Sequence, residues 1–224
     1  MTEFKLQALG LSGSHLTDYQ GNQIHAGVLE DLKGLDASAK AAGFDFTIAS
    51  AYRDFHRQKA IWNAKYSGKR PILDSQNQVI DIAGLTSEAI IEAILLFSAM
   101  PGTSRHHFGT DIDVYAKNCL SNGASLQLEP WEYEVDGPFY AFSCWLEENL
   151  HRFGFYKPYD KFRGGVAAEP WHISHFELAN DMSSHLDIAT IADVIAQHDV
   201  LGKNTIVHNI DTLYHRFVVN VASK

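Results

Sequence analysis

The apolar positions of this chain keep two rhythms, one near the helical period and one alternating. From Gly27 to Ala42, Val28, Leu29, Leu32, Leu35, Ala39 and Ala42 recur at helical spacing, and Gly43 stands where a helix stops. Phe44 to Ser50 then alternates Phe44, Phe46 and Ile48 with Asp45 and Thr47, which predicts a strand with one buried face. Asp54 to Tyr66 reads as a helix. A further helix opens at Thr86 or Ser87 and runs to about Met100, before Pro101-Gly102. Gly109 to Tyr115 reads as a strand with Asp111, Asp113 and Tyr115 on one face and Ile112 and Val114 on the other. An amphipathic helix is predicted over Phe139–Phe153, stopped by Gly154, then a strand over Trp171–Phe176 and a helix over Leu186–Val200. The first 25 residues are polar, glycine-punctuated and turn-like at Asp18–Asn22, and 206–221 is mixed. The pattern predicts one α+β domain over 1–224, a small antiparallel sheet flanked by helices. Its core motifs fall within 40–178, and 179–224 forms an extension packed on the domain.

Two stretches, 67–84 and 116–135, lack either rhythm. Connections this long in a compact domain usually serve a purpose, and walls of a substrate pocket are one.

Composition narrows the function. With 224 residues, 46% hydrophobic and 20% charged, the chain is an ordinary globular protein. A net charge of -9 argues against a nucleic-acid groove. Cys119 and Cys144 form no metal-binding pattern and read as reduced, inert thiols. No apolar run is long enough to span a bilayer, and Met1–Gln7 has no signal-peptide character. The expected compartment is therefore the cytoplasm, with a periplasmic or exported location as the alternative. Oligomeric state is not legible.

The chemistry concentrates in Ser104–Val114, which reads Ser-Arg-His-His-Phe-Gly-Thr-Asp-Ile-Asp-Val. His106 and Asp113 flank Gly109, where a turn would let them converge. About 60 residues on, Glu169-Pro-Trp-His172 offers another imidazole and a carboxylate. A catalytic zinc takes three nitrogen or oxygen ligands and keeps one open position. His106, Asp113 and His172 supply such a set, with Glu169 as general base. Singly, each of these residues reads as ordinary structural His or Asp.

The order of motifs adds weight. Ser-x-His-x-x-Gly-x-x-x-Asp (Ser104, His106, Gly109, Asp113) is followed by Glu-x-x-His (Glu169, Trp171, His172) and preceded by Ser50-Ala-Tyr-Arg53 with Gln58. Together they resemble the zinc D-alanyl-D-alanine carboxypeptidases of the vancomycin-resistance type, in a superfamily with lysostaphin-like endopeptidases and the hedgehog domain. The resemblance implies a hedgehog/D-Ala-D-Ala-peptidase-like fold and a zinc metallopeptidase. It implies His106, Asp113 and His172 as zinc ligands and Glu169 as base. It implies Arg53 as a catalytic, substrate-binding arginine, and Ser50, Gln58, Ser104 and Trp171 near the substrate. A guanidinium suits a free carboxylate because it donates paired hydrogen bonds.

The chain departs from the family where Asp111 stands in place of a small or apolar residue and Ala51 in place of glycine. Asp111 is open to three roles: competing ligand, support for a ligand histidine, or substrate contact. His107 reads as a neighbour and His175 as facing the opposite side of its strand. Glu129-Pro-Trp131 lacks the following histidine and reads as a decoy. The expected activity is removal of a terminal D-amino acid from a peptidoglycan-type peptide. A lysin-like murein endopeptidase and a non-catalytic zinc-binding module stand as alternatives, and D,D against L,D specificity stays open.

Overall fold

A computed structural model of the chain describes residues 1–121 and 123–223. The N-terminal stretch, polar by sequence, begins with a short helix α1 (Glu3–Ala8). Thr2 caps it by accepting the Lys5 N–H, and Ala8 and Leu9 are buried, so tertiary packing overrides a weak local signal. A hairpin follows, β1 (Leu16–Tyr19) and β2 (Asn22–His25), turning at Gln20 and Gly21, both with positive φ. Helix α2 (Leu29–Ala41), β3 (Phe46–Ser50) and α3 (Phe55–Tyr66) match the sequence pattern to within two residues at most ends. Asp54 caps α3 by accepting the Arg57 N–H, and Thr86 caps α4 (Ser87–Leu95) by accepting the Ala89 N–H.

Helix α4 ends before the predicted Met100. The Ala99 carbonyl is taken by the Gln58 side chain at 2.7 Å, and past Leu95 the chain makes a turn at 96–97 and is then irregular to 100. Next come β4 (Asp111–Ala116), α5 (Tyr140–Asn149), β5 (Phe155–Tyr156) and β6 (His172–His175). The predicted helix to Phe153 is α5 plus a tighter turn, Leu150–Phe153, closed by Gly154. The predicted strand ends at His175, and a helix the pattern did not declare, α6 (Phe176–Ser184), begins at once. Helix α7 (Ile188–Gln197) is as expected. The mixed 206–221 stretch resolves as helix: α8 (Lys203–His208) and α9 (Ile210–Leu213) lead into a wider π turn, Tyr214–Val218.

Four strands form one antiparallel sheet in the order β3-β4-β6-β5. The inner face of β4, Ile112, Val114 and Ala116, packs with Phe46, Phe142, Leu146 and Ile173 into one apolar cluster roofed by α2 and α5. A second cluster joins α1, α3 and α4 to α6–α9, through Trp62, Ile94, Ile191, Ile206 and Leu213. The C-terminal segment is also tied to the loop between β5 and β6. Arg216 Nε donates to Gly164 O (2.7 Å), Asn220 Nδ2 to Arg163 O (2.9 Å) and the Ala222 N–H to Pro158 O (2.9 Å). Among the described residues, no helix is long and apolar enough to cross a membrane, and both cysteines are free.

Candidate active site

The polar face of β4 is where the chemistry gathers. Its alternation sends Asp111 and Asp113 away from the apolar cluster. Strand β6 lies antiparallel beside it, with Asp113 paired to His172 and Asp111 to Ser174. Residues 172 and 174 share the face of 111 and 113, while His175 points the other way and meets Asp31 at 3.1 Å. On the other edge of β4, a register shift between Ile48 and Ser50 sets Ser50 opposite Asp113.

His106 comes from the tight turn Arg105–Phe108. Gly109 ends that turn at φ 70°, and a Cβ there would stand 2.7 Å from both the His25 backbone nitrogen and Leu16 Cδ2. The hairpin docks on the same spot, the His25 N–H donating to Gly109 O at 2.8 Å. The ring of His106 donates from Nδ1 to Ala51 O at 2.9 Å, which leaves Nε2 bare and 3.3 Å from Asp113 Oδ2. Across the sheet, His172 Nδ1 lies 3.1 Å from Asp113 Oδ1 and 3.5 Å from Glu169 Oε2. One ligand atom from each of His106, Asp113 and His172 falls within 4.8 Å of the others. All three side chains are buried.

This set fits a small divalent cation. Asp113 Oδ1 and His172 Nδ1 are buried and, among the described residues, have no hydrogen-bond partner despite their mutual approach. Two imidazole nitrogens and one carboxylate are a donor set zinc accepts. Burial opposes ionisation of Asp113, but the neighbouring His106 and His172 together outweigh it and hold the carboxyl well below its usual range. Burial also pushes Glu169 up to about 7, with His172 pulling against it. A carboxyl so poised exchanges a proton near neutrality.

Arg53 enters from the end of β3, its N–H donating to His106 O at 3.1 Å. Its guanidinium donates to Gln58 Oε1 (2.9 Å) and Ser50 Oγ (3.2 Å). Arg53, Ser104 and Trp171 line the cavity with His106, Asp113, Glu169 and His172. Gln58 and Ser50 do not. Sequence reasoning put both beside the substrate. The structure sets them behind Arg53, because α3 turns Gln58 into the core, where it is fully buried and spans Arg53 and Ala99 O. His107 is not among the converging atoms: Nδ1 donates to Arg53 O and Nε2 accepts the Gly102 N–H at 3.1 Å.

The cavity holds about 300 Å³. The two irregular stretches wall it, through Arg70, Leu73 and Asn77 on one side and residues 127–130 on the other. The second Glu-Pro-Trp is thus more than a decoy. Glu129 and Pro130 face the cavity, and buried Glu132 accepts backbone N–H groups of Gln127 and Glu129. Residues the sequence did not single out also matter. Lys65 lines the cavity, its ammonium without a hydrogen bond or ion pair among the described residues, and burial with Arg70 nearby lowers it to about 8. Tyr159 lines it too, edge-on to His172 at 5.1 Å. Arg105 lines it as well, and with Ser174 it donates to Asp111, which does not line it. Ser174 was within reach of the period-2 rule, two residues past His172.

A family model described as VanY, D-alanyl-D-alanine carboxypeptidase, matches residues 21–178. The chain belongs to this family. That makes it a carboxypeptidase of the D-alanyl-D-alanine type, as the three motifs implied, and its fold is α+β as expected. An uncharacterised protein of Haemophilus influenzae is 36% identical over 118 residues, 52% of this chain and 90% of that one. A D-alanyl-D-alanine carboxypeptidase of Enterococcus faecalis is 30% identical over 158 residues, 68% of this chain and 48% of its own length. The match thus spans about half of that relative. Among solved structures, VanYB in complex with D-alanine-D-alanine superposes with a TM-score of 0.52 at 26% identity, covering 76% of this chain and 81% of that one. A mutant VanY in complex with Zn(II) shares the fold, with a TM-score of 0.51 at 24% identity over 79% of this chain and 93% of that one.

Proposed function

We propose that this family member is a zinc carboxypeptidase that removes the terminal D-amino acid from peptidoglycan-type peptides, with His106, Asp113 and His172 as the zinc ligands. The observation that carries the reading is the convergence of those three ligand atoms within 4.8 Å on a cavity floor, with Glu169 beside His172. When bound, zinc supplies a Lewis acid that polarises the scissile carbonyl and makes water a competent nucleophile at neutral pH. Glu169, poised near 7, accepts the proton of the attacking water on its carboxylate and returns it to the leaving amine. Arg53, held flat by Gln58 and Ser50, presents its remaining N–H groups to the negative charge that develops at the reacting carbonyl or to the peptide's own terminal carboxylate. Ser104 and Trp171 bound the space around them.

The substrate is anionic in this reading. Arg53, Lys65, Arg70 and Arg105 line the cavity beside Asp113, Glu129 and Glu169, so cationic groups are at hand for the free carboxylates of a peptide in a chain whose net charge is -9. VanYB, bound to D-alanine-D-alanine, supports the same class of ligand.

The test combines metal analysis with mass spectrometry of defined muropeptides. The zinc-loaded protein is expected to shorten pentapeptides by one terminal D-alanine, and Glu169→Gln to bind zinc normally while turnover falls about 10²- to 10⁴-fold. An internal cut would replace carboxypeptidase by endopeptidase action on this chain's substrates. Full activity in Glu169→Gln would remove the base assignment.

A further inference from the structure

We infer that Asp111 is a positioning residue for His172, fixing which ring nitrogen is offered to the metal. The inference rests on the reading of His172 as a zinc ligand. Its basis is the separate set of contacts on the far side of that ring.

His172 has carboxylates at both ring nitrogens. Nδ1 faces Asp113 and Glu169, and Nε2 lies 3.0 Å from Asp111 Oδ1. Only Nδ1 is on the side of the His106 and Asp113 ligand atoms, so the proton belongs on Nε2 and is donated to Asp111. An imidazole whose second nitrogen donates to a carboxylate is locked in tautomer and orientation and is a stronger ligand.

Asp111 is built for this and for none of the other roles open to it. Its side chain is wholly buried, and every direction of its two oxygens is engaged. Oδ1 accepts from Arg105 Nε at 2.7 Å and from His172 Nε2. Oδ2 accepts from Thr110 Oγ1 at 2.7 Å and from Ser174 Oγ at 3.1 Å. Four donors meet the four acceptor positions of an ionised carboxylate, so none remains for a metal or a substrate. The donors are themselves fixed, since Arg105 Nη2 also reaches Ser174 Oγ (2.8 Å) and Tyr156 Oη (3.3 Å). Asp111 is also absent from the cavity lining. The strand alternation that points Asp113 into the site places Asp111 one step below it, under the ring of the histidine on the next strand.

The experiment uses the full chain loaded with zinc. Long-range ¹H–¹⁵N correlation spectra of the wild type are expected to place the His172 proton on Nε2, with no proton on Nδ1. Asp111→Asn, which keeps the shape and loses the charge, is expected to weaken zinc binding about 10- to 100-fold in a chelator competition. Ser174→Ala, which removes one donor from Asp111 without touching the ring, is expected to weaken it less. A wild-type ring protonated on Nδ1 overturns the inference, and this outcome is readable even where the Asp111 variant fails to fold. Wild-type zinc affinity in a folded Asp111→Asn also overturns it. Failure of the wild type to bind zinc would instead strike the metal reading of the whole site, so the two failures are told apart.

Discussion

Asp113 Oδ1 and His172 Nδ1 face each other 3.1 Å apart across paired strands, both buried and neither hydrogen-bonded among the described residues. A buried polar atom left without a partner costs about 1–3 kcal/mol. A cation between these two removes that cost, so metal and fold are coupled. Chelation is expected to abolish hydrolysis and lower the melting temperature together, and zinc to restore both. At free zinc about 100 times its dissociation constant the gain is about 2.7 kcal/mol, readable by scanning calorimetry. His172→Ala should erase the zinc-dependent part of the stability.

Gln58 shapes activity without touching the cavity. It accepts from Arg53 and donates to Ala99 O from a fully buried position. A hydrogen bond to a charged group is worth about 1.5–3 kcal/mol. Gln58→Ala is therefore expected to lower kcat/KM about tenfold or more, with zinc content unchanged. Arg53→Lys should cost more, because the ammonium cannot keep both anchors and still present a flat fork to substrate. Steady-state kinetics beside metal analysis check both.

Gly109 holds the turn that aims His106. At φ 70° any other residue is strained by about 1–2 kcal/mol, and its Cβ would strike the His25 backbone. Gly109→Ala should lower the unfolding free energy read from urea titration by at least that amount and weaken zinc binding, since the turn and the hairpin behind it must part.

Acid sensitivity should come partly from His107. It is completely buried, donates to Arg53 O and accepts from the Gly102 N–H, and burial pushes its pKa down from 6.5 to about 4. The unfolded chain binds this proton near pH 6.5 and the folded chain only near pH 4, so protons favour unfolding in between. Stability is whole above pH 6.5 and declines as pH falls toward 4, by on the order of 3 kcal/mol. Burial pushes His25 down to about 4 as well, in the same sense. Melting temperature against pH, with His107→Gln flattening this limb, checks the assignment.

The alternating patterns around Phe46 and Ile112 were legible because a strand with one buried face writes its period into the sequence. So were the ordered motifs and the face shared by Asp111 and Asp113. The pairing of Asp113 with His172 was not, since register between strands about 60 residues apart is a tertiary property. Neither was the retreat of Gln58 behind Arg53, which depends on how α3 packs. Helix α6 was legible in principle, as Ala179 and Met182 are its buried positions. The C-terminal helices were obscured by Val218-Val219, although Ile206, Ile210, Leu213 and Phe217 are buried at helical spacing.

The ties between the C-terminal segment and the loop from Pro158 to Gly164 bear on where a working fragment can be cut. Arg53, His106, Asp113, Glu169 and His172 all lie inside the family match, which ends at residue 178. Phe217, which lines the same cavity, lies outside it, as do the three groups that fasten the loop leading to Glu169. A protein trimmed to the matching residues would keep every proposed ligand and the proposed base, yet surrender one side of the chamber and the anchor of its base-bearing loop.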